Sequence, residues 1–140
     1  MARTDALRQQ HNEMLAIATR IASLLKPDEL SVEQTANAVR SDLSALAGKL
    51  MIHLAVEDKN LYPALSTSPD ITAQGMAKKF QEEMGGLAQA FKDYTSSFPT
   101  GKAISSDPNS FITRTNAVFT ALKQRIEREE RDLYPLADKA

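Results

Sequence analysis

Residues 57–63 read Glu-Asp-Lys-Asn-Leu-Tyr-Pro, and residues 129–135 read Glu-Glu-Arg-Asp-Leu-Tyr-Pro. The two segments have an offset of 129 − 57 = 72 residues. Each one follows a long stretch in which apolar residues recur at intervals of three and four, the spacing typical of an amphipathic helix. The repeat therefore predicts two copies of one helical hairpin, at 1–67 and 68–140, within a single domain of 140 residues.

The same offset relates polar residues on the predicted helices. His53 precedes Glu57 by four residues and corresponds to Arg125, while His11 corresponds to Glu83. The first copy thus resembles a set of metal ligands, and the second an ion pair. An unpaired charge on an apolar helix face is costly, so these side chains need partners. We expect one buried polar layer with six members: His11, His53, Glu57, Glu83, Arg125 and Glu129.

Breaks in the sequence delimit four long helices, and no segment reads as a strand. The first helix is expected to run from Thr4 or Asp5 to Lys26-Pro27, where the proline ends it. The second is expected to begin at Ser31–Gln34, which has the form of a capping box. It should break or kink near Tyr62-Pro63, because proline disrupts a helix interior.

The second half of the chain repeats these signals. Ser68-Pro69 offers a cap followed by proline at the first helical position, so the third helix is expected to begin there. The loop 99–106 should end it, and Asp107-Pro108 should start a fourth helix that continues to the C-terminus. Four amphipathic helices with short connections predict an all-α fold, an up-down-up-down antiparallel four-helix bundle.

Composition excludes several classes of protein. The net charge of −1 and the pI near 6.1 give no basic field for nucleic acid. No apolar run approaches the roughly 18 residues of a membrane span. The absence of cysteine excludes disulfides and thiolate chemistry. We therefore expect a soluble, cytoplasmic protein that binds neither nucleic acid nor membrane.

His53 and Glu57 lie one helical turn apart, so one helix can offer both side chains to a single metal ion. Here the chain resembles the hemerythrin-like (HHE cation-binding) family, whose pattern is a histidine on the first helix, H-x-x-x-E on the second, a histidine on the third and H-x-x-x-E on the fourth. The resemblance spans essentially the whole chain, including both Leu-Tyr-Pro endings. It implies a hemerythrin-like bundle and metal ligands at four positions: His11, His53, Glu57 and Glu129.

Two positions depart from the family pattern, in which the ligands normally hold a non-haem di-iron centre. Arg125 stands where the fourth-helix histidine belongs, and the third-helix position falls on Glu83 or Met84, depending on a shift of one residue in the alignment. Arginine has no lone pair to donate, and its charge repels a nearby cation. We expect Arg125 to pair with Glu83, Glu129 or both, in place of a second metal ion.

Two functions remain open from the sequence. In the first, the retained donors bind one ion of iron, zinc or manganese in a sensing or binding role, with iron favoured by the resemblance. In the second, no metal binds, and His11 and His53 belong to a buried network in a protein-interaction module. Neither is an enzyme, and either is expected as a monomer or homodimer with a metal ion or a protein as partner. Tyr62 and Tyr134 could modulate a metal site, but their positions beside prolines favour packing at the end of the bundle.

Overall fold

The computed structural model describes residues 4–139, and within them the chain is helical with no strand. The predicted all-α class is therefore confirmed, while the up-and-down order of the bundle stays a prediction. In chain order the helices are α1 (Asp5–Ser23), α2 (Pro27–Leu30), α3 (Glu33–Val56), α4 (Tyr62–Ser66), α5 (Ile71–Ser97), α6 (Gly101–Ser106), α7 (Pro108–Arg128) and α8 (Tyr134–Lys139).

Two π turns are the main departure from regular helix. The first, Glu57–Leu61, joins α3 to α4, and the second, Glu129–Leu133, joins α7 to α8. Of the break or kink predicted near Tyr62-Pro63, the break is wrong, because the helix continues past the proline, while the kink stays a prediction. A proline ring crowds the carbonyl four residues earlier and donates no hydrogen bond. The wider π turn, which ends at Leu61 two residues before Pro63, lets the helix continue past the proline.

Boundaries in the first half differ from the sequence predictions in detail. The first helix ends at Ser23, and residues 27–30 form the short helix α2. The second long helix starts at Glu33, within the predicted segment Ser31–Gln34, but the capping box itself is wrong, because the Ser31 hydroxyl donates to the Pro27 carbonyl at 2.6 Å and Val32 precedes α3 without a side-chain cap. Proline at the first position of α2 explains the extra helix, since its fixed φ suits a helical start.

Boundaries in the second half follow side-chain caps. The third long helix begins at Ile71 rather than at Ser68-Pro69, since the Asp70 carboxylate accepts from the Thr72 amide at 2.9 Å. The predicted loop 99–106 contains α6. The start at Asp107-Pro108 is confirmed, with Asp107 accepting from the Ser110 amide.

The apolar core is divided by a polar layer. On α1, buried His11 lies between Leu7, which belongs to one apolar cluster, and Met14, which belongs to the other. Along the helix that starts with α3, buried His53 lies between Leu50, which belongs to the larger cluster, and Leu61, which belongs to the smaller one. The larger cluster contains Met14, Ile21, Leu43, Leu46, Tyr94 and Phe111 among others. The smaller contains Leu7, Leu61, Leu65, Phe80, Leu133 and Tyr134 among others. Apolar packing on both sides therefore fixes the depth of the polar side chains.

Close approach of the main chain constrains Gly101 at the start of α6. A Cβ atom there would overlap both the side chain and the main chain of Asn37 on α3. By contrast, a Cβ at Gly86, in the middle of α5, would meet open space. Among the described residues, none of the helices combines the length and apolar character needed to cross a bilayer.

Candidate metal centre

Two histidines and two carboxylates meet in the polar layer. His11 comes from α1 and His53 from α3, while Glu57 and Glu129 are the first residues of the two π turns. All four are at most 1% exposed. The Nε2 atom of His11 lies 3.1 Å from Nε2 of His53 and 3.0 Å from Oε1 of Glu129. The Nε2 atom of His53 lies 3.3 Å from Oε2 of Glu57. The structure thus brings together all four side chains that the resemblance implied as ligands.

Outer partners orient both imidazole rings. His11 Nδ1 lies 2.6 Å from Oε2 of Glu130, and His53 Nδ1 lies 2.8 Å from Oε1 of Gln10. Since both oxygens are acceptors, each Nδ1 is the donor, and a neutral ring then keeps its lone pair on Nε2. Both Nε2 atoms face the centre of the cluster. This arrangement is the one that metal-binding histidines use.

The Tyr134 hydroxyl lies at the centre of this cluster. It donates to Oε2 of Glu57 at 2.9 Å and lies 3.1 Å from Nε2 of His11. Nε2 of His53 and Oε1 of Glu129 are both 3.4 Å away. Tyr134 packs in the smaller apolar cluster, but its hydroxyl also reaches the candidate site, a role that the sequence interpretation considered and did not favour. The only sequence signal was that the repeated motif includes the tyrosine.

The π turn explains how Tyr134 reaches the cluster. Residues five apart on a regular α-helix are separated by about 140° around its axis. In the π turn, the Tyr134 amide donates to the carbonyl of Glu129, five residues earlier. This turn holds one residue more than an α-turn, so it rotates Tyr134 toward the face that carries Glu129. Both side chains therefore point into the same layer.

Arg125 occupies the other side of the layer and is 5% exposed. Its guanidinium donates to the Tyr62 hydroxyl at 3.2 Å and to the Phe80 carbonyl, and lies 4.4 Å from the centre of the Phe80 ring. It is 3.4 Å from Oε2 of Glu83 through Nη1 and 3.6 Å from Oε2 of Glu129 through Nε. The predicted ion pair is therefore present, with both carboxylates.

The expected six-membered layer is wrong in one member. The Glu83 side chain is 37% exposed and lies at the rim, where its Oε2 also accepts from Arg128 at 2.7 Å. This bond to Arg128 holds the pKa of Glu83 below its usual value. Met84 is buried instead, because the register of α5 turns position 84 inward. A charged carboxylate gains more at the solvent-exposed rim, beside two guanidinium groups, than in the interior.

The buried groups shift one another's proton affinity. Burial disfavours charged His53, but hydrogen bonds to Glu129 and Glu57 more than offset it and raise the pKa of His53 to about 9. Burial raises the pKa of Glu57 to about 7, against the opposing hydrogen bond from His53. Burial also acts to raise the pKa of Glu129, but hydrogen bonds from His11, His53 and Glu57 hold it well below its usual value. The pKa of Glu57 and the pKa of Glu129 are therefore shifted in opposite directions.

The donor set fits one metal ion. His11, His53 and Glu129 each offer a ligand atom, and these atoms lie within 4.8 Å of one another. Within residues 4–139, Oε1 of Glu57 is buried without a hydrogen-bond partner. A buried acceptor normally has a partner, and a cation can serve as one. Imidazole nitrogen with carboxylate oxygen suits iron, zinc or manganese.

An all-α chain with buried histidines and carboxylates around one point defines a class, the helical cation-binding domains. A family model described as the hemerythrin HHE cation binding domain matches residues 2–137. The chain therefore belongs to the hemerythrin HHE cation-binding family, and the resemblance read from the sequence is confirmed. Neither a search of curated proteins nor a search of solved structures found a match.

Proposed function

We propose that this domain binds one metal ion, with His11, His53, Glu57 and Glu129 as ligands, in a sensing or binding role rather than a catalytic one. The observation that carries the proposal is the orientation of the two imidazole rings, whose Nε2 atoms converge while Glu130 and Gln10 hold both Nδ1 atoms. A bound metal would supply a Lewis-acidic centre. Iron is our first choice, because the family resemblance implies it.

Arg125 limits the proposed site to one ion. Its guanidinium stands at the repeat position of His53 and pairs with Glu129 and Glu83. It has no lone pair to offer, and its permanent charge opposes a second cation nearby. Glu129 would then share its two oxygens, with Oε1 facing the histidines and Oε2 facing Arg125. The second half of the bundle thus holds an ion pair in the place of a metal.

A metal-free protein-interaction module is the second candidate. It is favoured by the Tyr134 hydroxyl, which hydrogen-bonds to Glu57 at the centre of the cluster without any ion. In this form His53, with its raised pKa of about 9, would be charged at neutral pH and would pair with Glu57 and Glu129. The buried network would then be structural, and the function would lie at the protein surface.

Elemental analysis of the purified chain separates the two candidates. The protein would be prepared without a histidine tag or chelator, reconstituted with ferrous iron under anaerobic conditions and desalted. We expect close to one iron per chain, lost in His53→Gln and retained in the control Lys49→Gln, at a half-exposed position on α3. A value near two would contradict the role given to Arg125. A value near zero in the unmodified chain, also with zinc and manganese, would favour the metal-free module.

A further inference from the structure

The Tyr134 oxygen lies where the candidate ligands converge. It is between 2.9 and 3.4 Å from one donor atom of each of the four side chains His11, His53, Glu57 and Glu129. Metal ions of this class sit about 2.0 to 2.2 Å from nitrogen and oxygen ligands. An ion at that distance from these donors has no room to avoid the phenol oxygen. On metal binding, Tyr134 must therefore either move away or become a ligand.

Packing opposes movement of Tyr134. The residue is fully buried, and its ring stacks on His11 with centroids 5.3 Å apart and planes 13° apart. The Arg8 guanidinium lies over the ring, 5.3 Å from its centre. Helix α8 is tied to the start of α1, since the Thr4 hydroxyl donates to the Asp138 carboxylate at 2.8 Å. Withdrawal of the ring would break these contacts and leave a cavity, which is costly in a packed core.

We propose that the phenol oxygen of Tyr134 binds the metal directly and makes this a ferric tyrosinate site. The inference rests on the proposed function of one-metal binding. The O–H bond of Tyr134 breaks, its proton leaves to solvent, and the oxygen donates its electron pair to the ferric ion. No change of oxidation state is needed when iron enters as the ferric ion.

A phenolate ligand favours the ferric ion. Glu57 and Glu129 are the two buried carboxylates next to the histidines, and Glu129 is also paired with Arg125. A phenolate at Tyr134 adds one negative charge to those that the carboxylates supply. Added negative charge stabilises the more highly charged cation, so tyrosinate ligation stabilises the ferric state relative to the ferrous state.

The repeat provides a matched control in Tyr62. This residue has the same Leu-Tyr-Pro context and also follows a π turn, and it is buried like Tyr134. Its hydroxyl accepts from Arg125 at 3.2 Å. Because Arg125 binds no metal, Tyr62→Phe removes a buried hydroxyl of the same kind without touching the proposed ligand set.

The test is to load the unmodified chain, Tyr134→Phe and Tyr62→Phe with ferric citrate, and to measure iron per chain and the visible absorption spectrum. Resonance Raman excitation within any visible band would identify phenolate vibrations. We expect the unmodified chain and Tyr62→Phe to show a phenolate-to-iron charge-transfer band. Tyr134→Phe should lose the band, and its reduction potential should rise wherever iron is retained. Circular dichroism would check that each variant is helical.

The outcomes separate this inference from the proposed function. About one ferric ion per unmodified chain without a phenolate band would overturn the tyrosinate site and leave one-metal binding intact. A band that survives in Tyr134→Phe, or disappears in Tyr62→Phe, would also overturn it. No bound ferric ion in the unmodified chain would overturn the tyrosinate site, and the additional absence of bound ferrous iron, zinc and manganese would overturn one-metal binding as well. If Tyr134→Phe fails to fold, the inference can still be overturned by the absence of a band in the unmodified chain or by its loss in Tyr62→Phe.

Discussion

Tyr62 and Tyr134 occupy equivalent positions in the two hairpins, and each hydroxyl reaches into the opposite hairpin. The Tyr62 hydroxyl lies 3.2 Å from Nη2 of Arg125, and the Tyr134 hydroxyl lies 3.4 Å from Nε2 of His53, which stands at the position equivalent to Arg125. A pair of equivalent contacts thus joins the two halves of the chain. Their chemistry differs because His53 in one half is replaced by Arg125 in the other. The difference between these two positions gives the tyrosines different neighbours. Tyr62 lies beside a guanidinium cation, and Tyr134 lies among the proposed metal ligands.

Glu130 is expected to act as a positioning residue for the metal. Its carboxylate accepts from Nδ1 of His11 at 2.6 Å, and such outer partners are worth about 10- to 100-fold in metal affinity. We expect Glu130→Ala to weaken iron or zinc binding by about that factor while the helical content stays unchanged. Competition against a coloured chelator would measure the affinity. Exposed Glu127, three residues earlier, provides the control Glu127→Ala, and equal losses in the two variants would argue against this role for Glu130.

The substitutions Arg125→His and Glu83→His together are expected to create a second metal position. They place histidines at the fourth-helix position of the family pattern and at one of its two candidate third-helix positions, and Glu83 already lies 3.4 Å from Arg125. Removing the guanidinium also removes the charge that opposes a second cation. Elemental analysis should show iron per chain rising from about one toward two. Arg125→Lys keeps the positive charge and should stay at one. Unchanged metal content in the double variant would contradict the alignment of the two hairpins.

The stability of the metal-free protein is expected to fall as pH rises from about 5 to 9. His53 has a pKa raised to about 9, so its stabilising contribution is complete below its unfolded value of 6.5 and is lost as pH rises through 9. Glu57 has a pKa raised to about 7, so its protonated form contributes below 4.5 and is lost as pH rises through 7. Both raised pKa values therefore make the free energy of unfolding fall as pH rises. The free energy of unfolding should drop by about 2 kcal/mol or more over this range.

Urea unfolding at several pH values would measure this slope. Glu129 has a lowered pKa, so its contribution is present above 4.5 and is lost as the solution becomes more acidic, which sets the low-pH limit. Bound metal should reverse the slope between pH 5 and 7, because metal binding requires deprotonated ligands. The variant His53→Gln should have a smaller slope when metal-free. A flat profile for the metal-free chain would contradict the pKa values given to His53 and Glu57.

Two glycine substitutions are expected to have opposite effects on stability. Gly101→Ala would force a Cβ atom into the main chain of Asn37, and overpacking of this kind costs about 1 to 3 kcal/mol. Gly86→Ala places its Cβ in open space within α5 and should stabilise the fold by about 0.5 to 1 kcal/mol. Thermal unfolding of both variants would measure the difference. Destabilisation by Gly86→Ala would show that a partner covers that face of α5.

The helical nature of the chain and the members of its polar layer were largely predictable from local pattern. Buried His11 and His53 lie at positions where apolar residues recur, and a repeat of 72 residues, from Glu57 to Glu129, relates the two acidic positions. Helix starts were less predictable, because Ser31 and Ser68 have the right chemistry for caps but bond elsewhere. Local capping signals compete with one another, and packing decides among them.

The sequence by itself determined the all-α class, the repeated motif and the identity of the buried histidines and carboxylates. Periodicity does this because each helix must bury its apolar face, and the polar exceptions on that face must meet. Only the tertiary structure decided that Tyr134 reaches the centre of the layer and that Glu83 stays at its rim. A π turn adds one residue and rotates everything after it, and the register of α5 is set by packing against its neighbours. Neither effect has a local sequence signal strong enough to predict it.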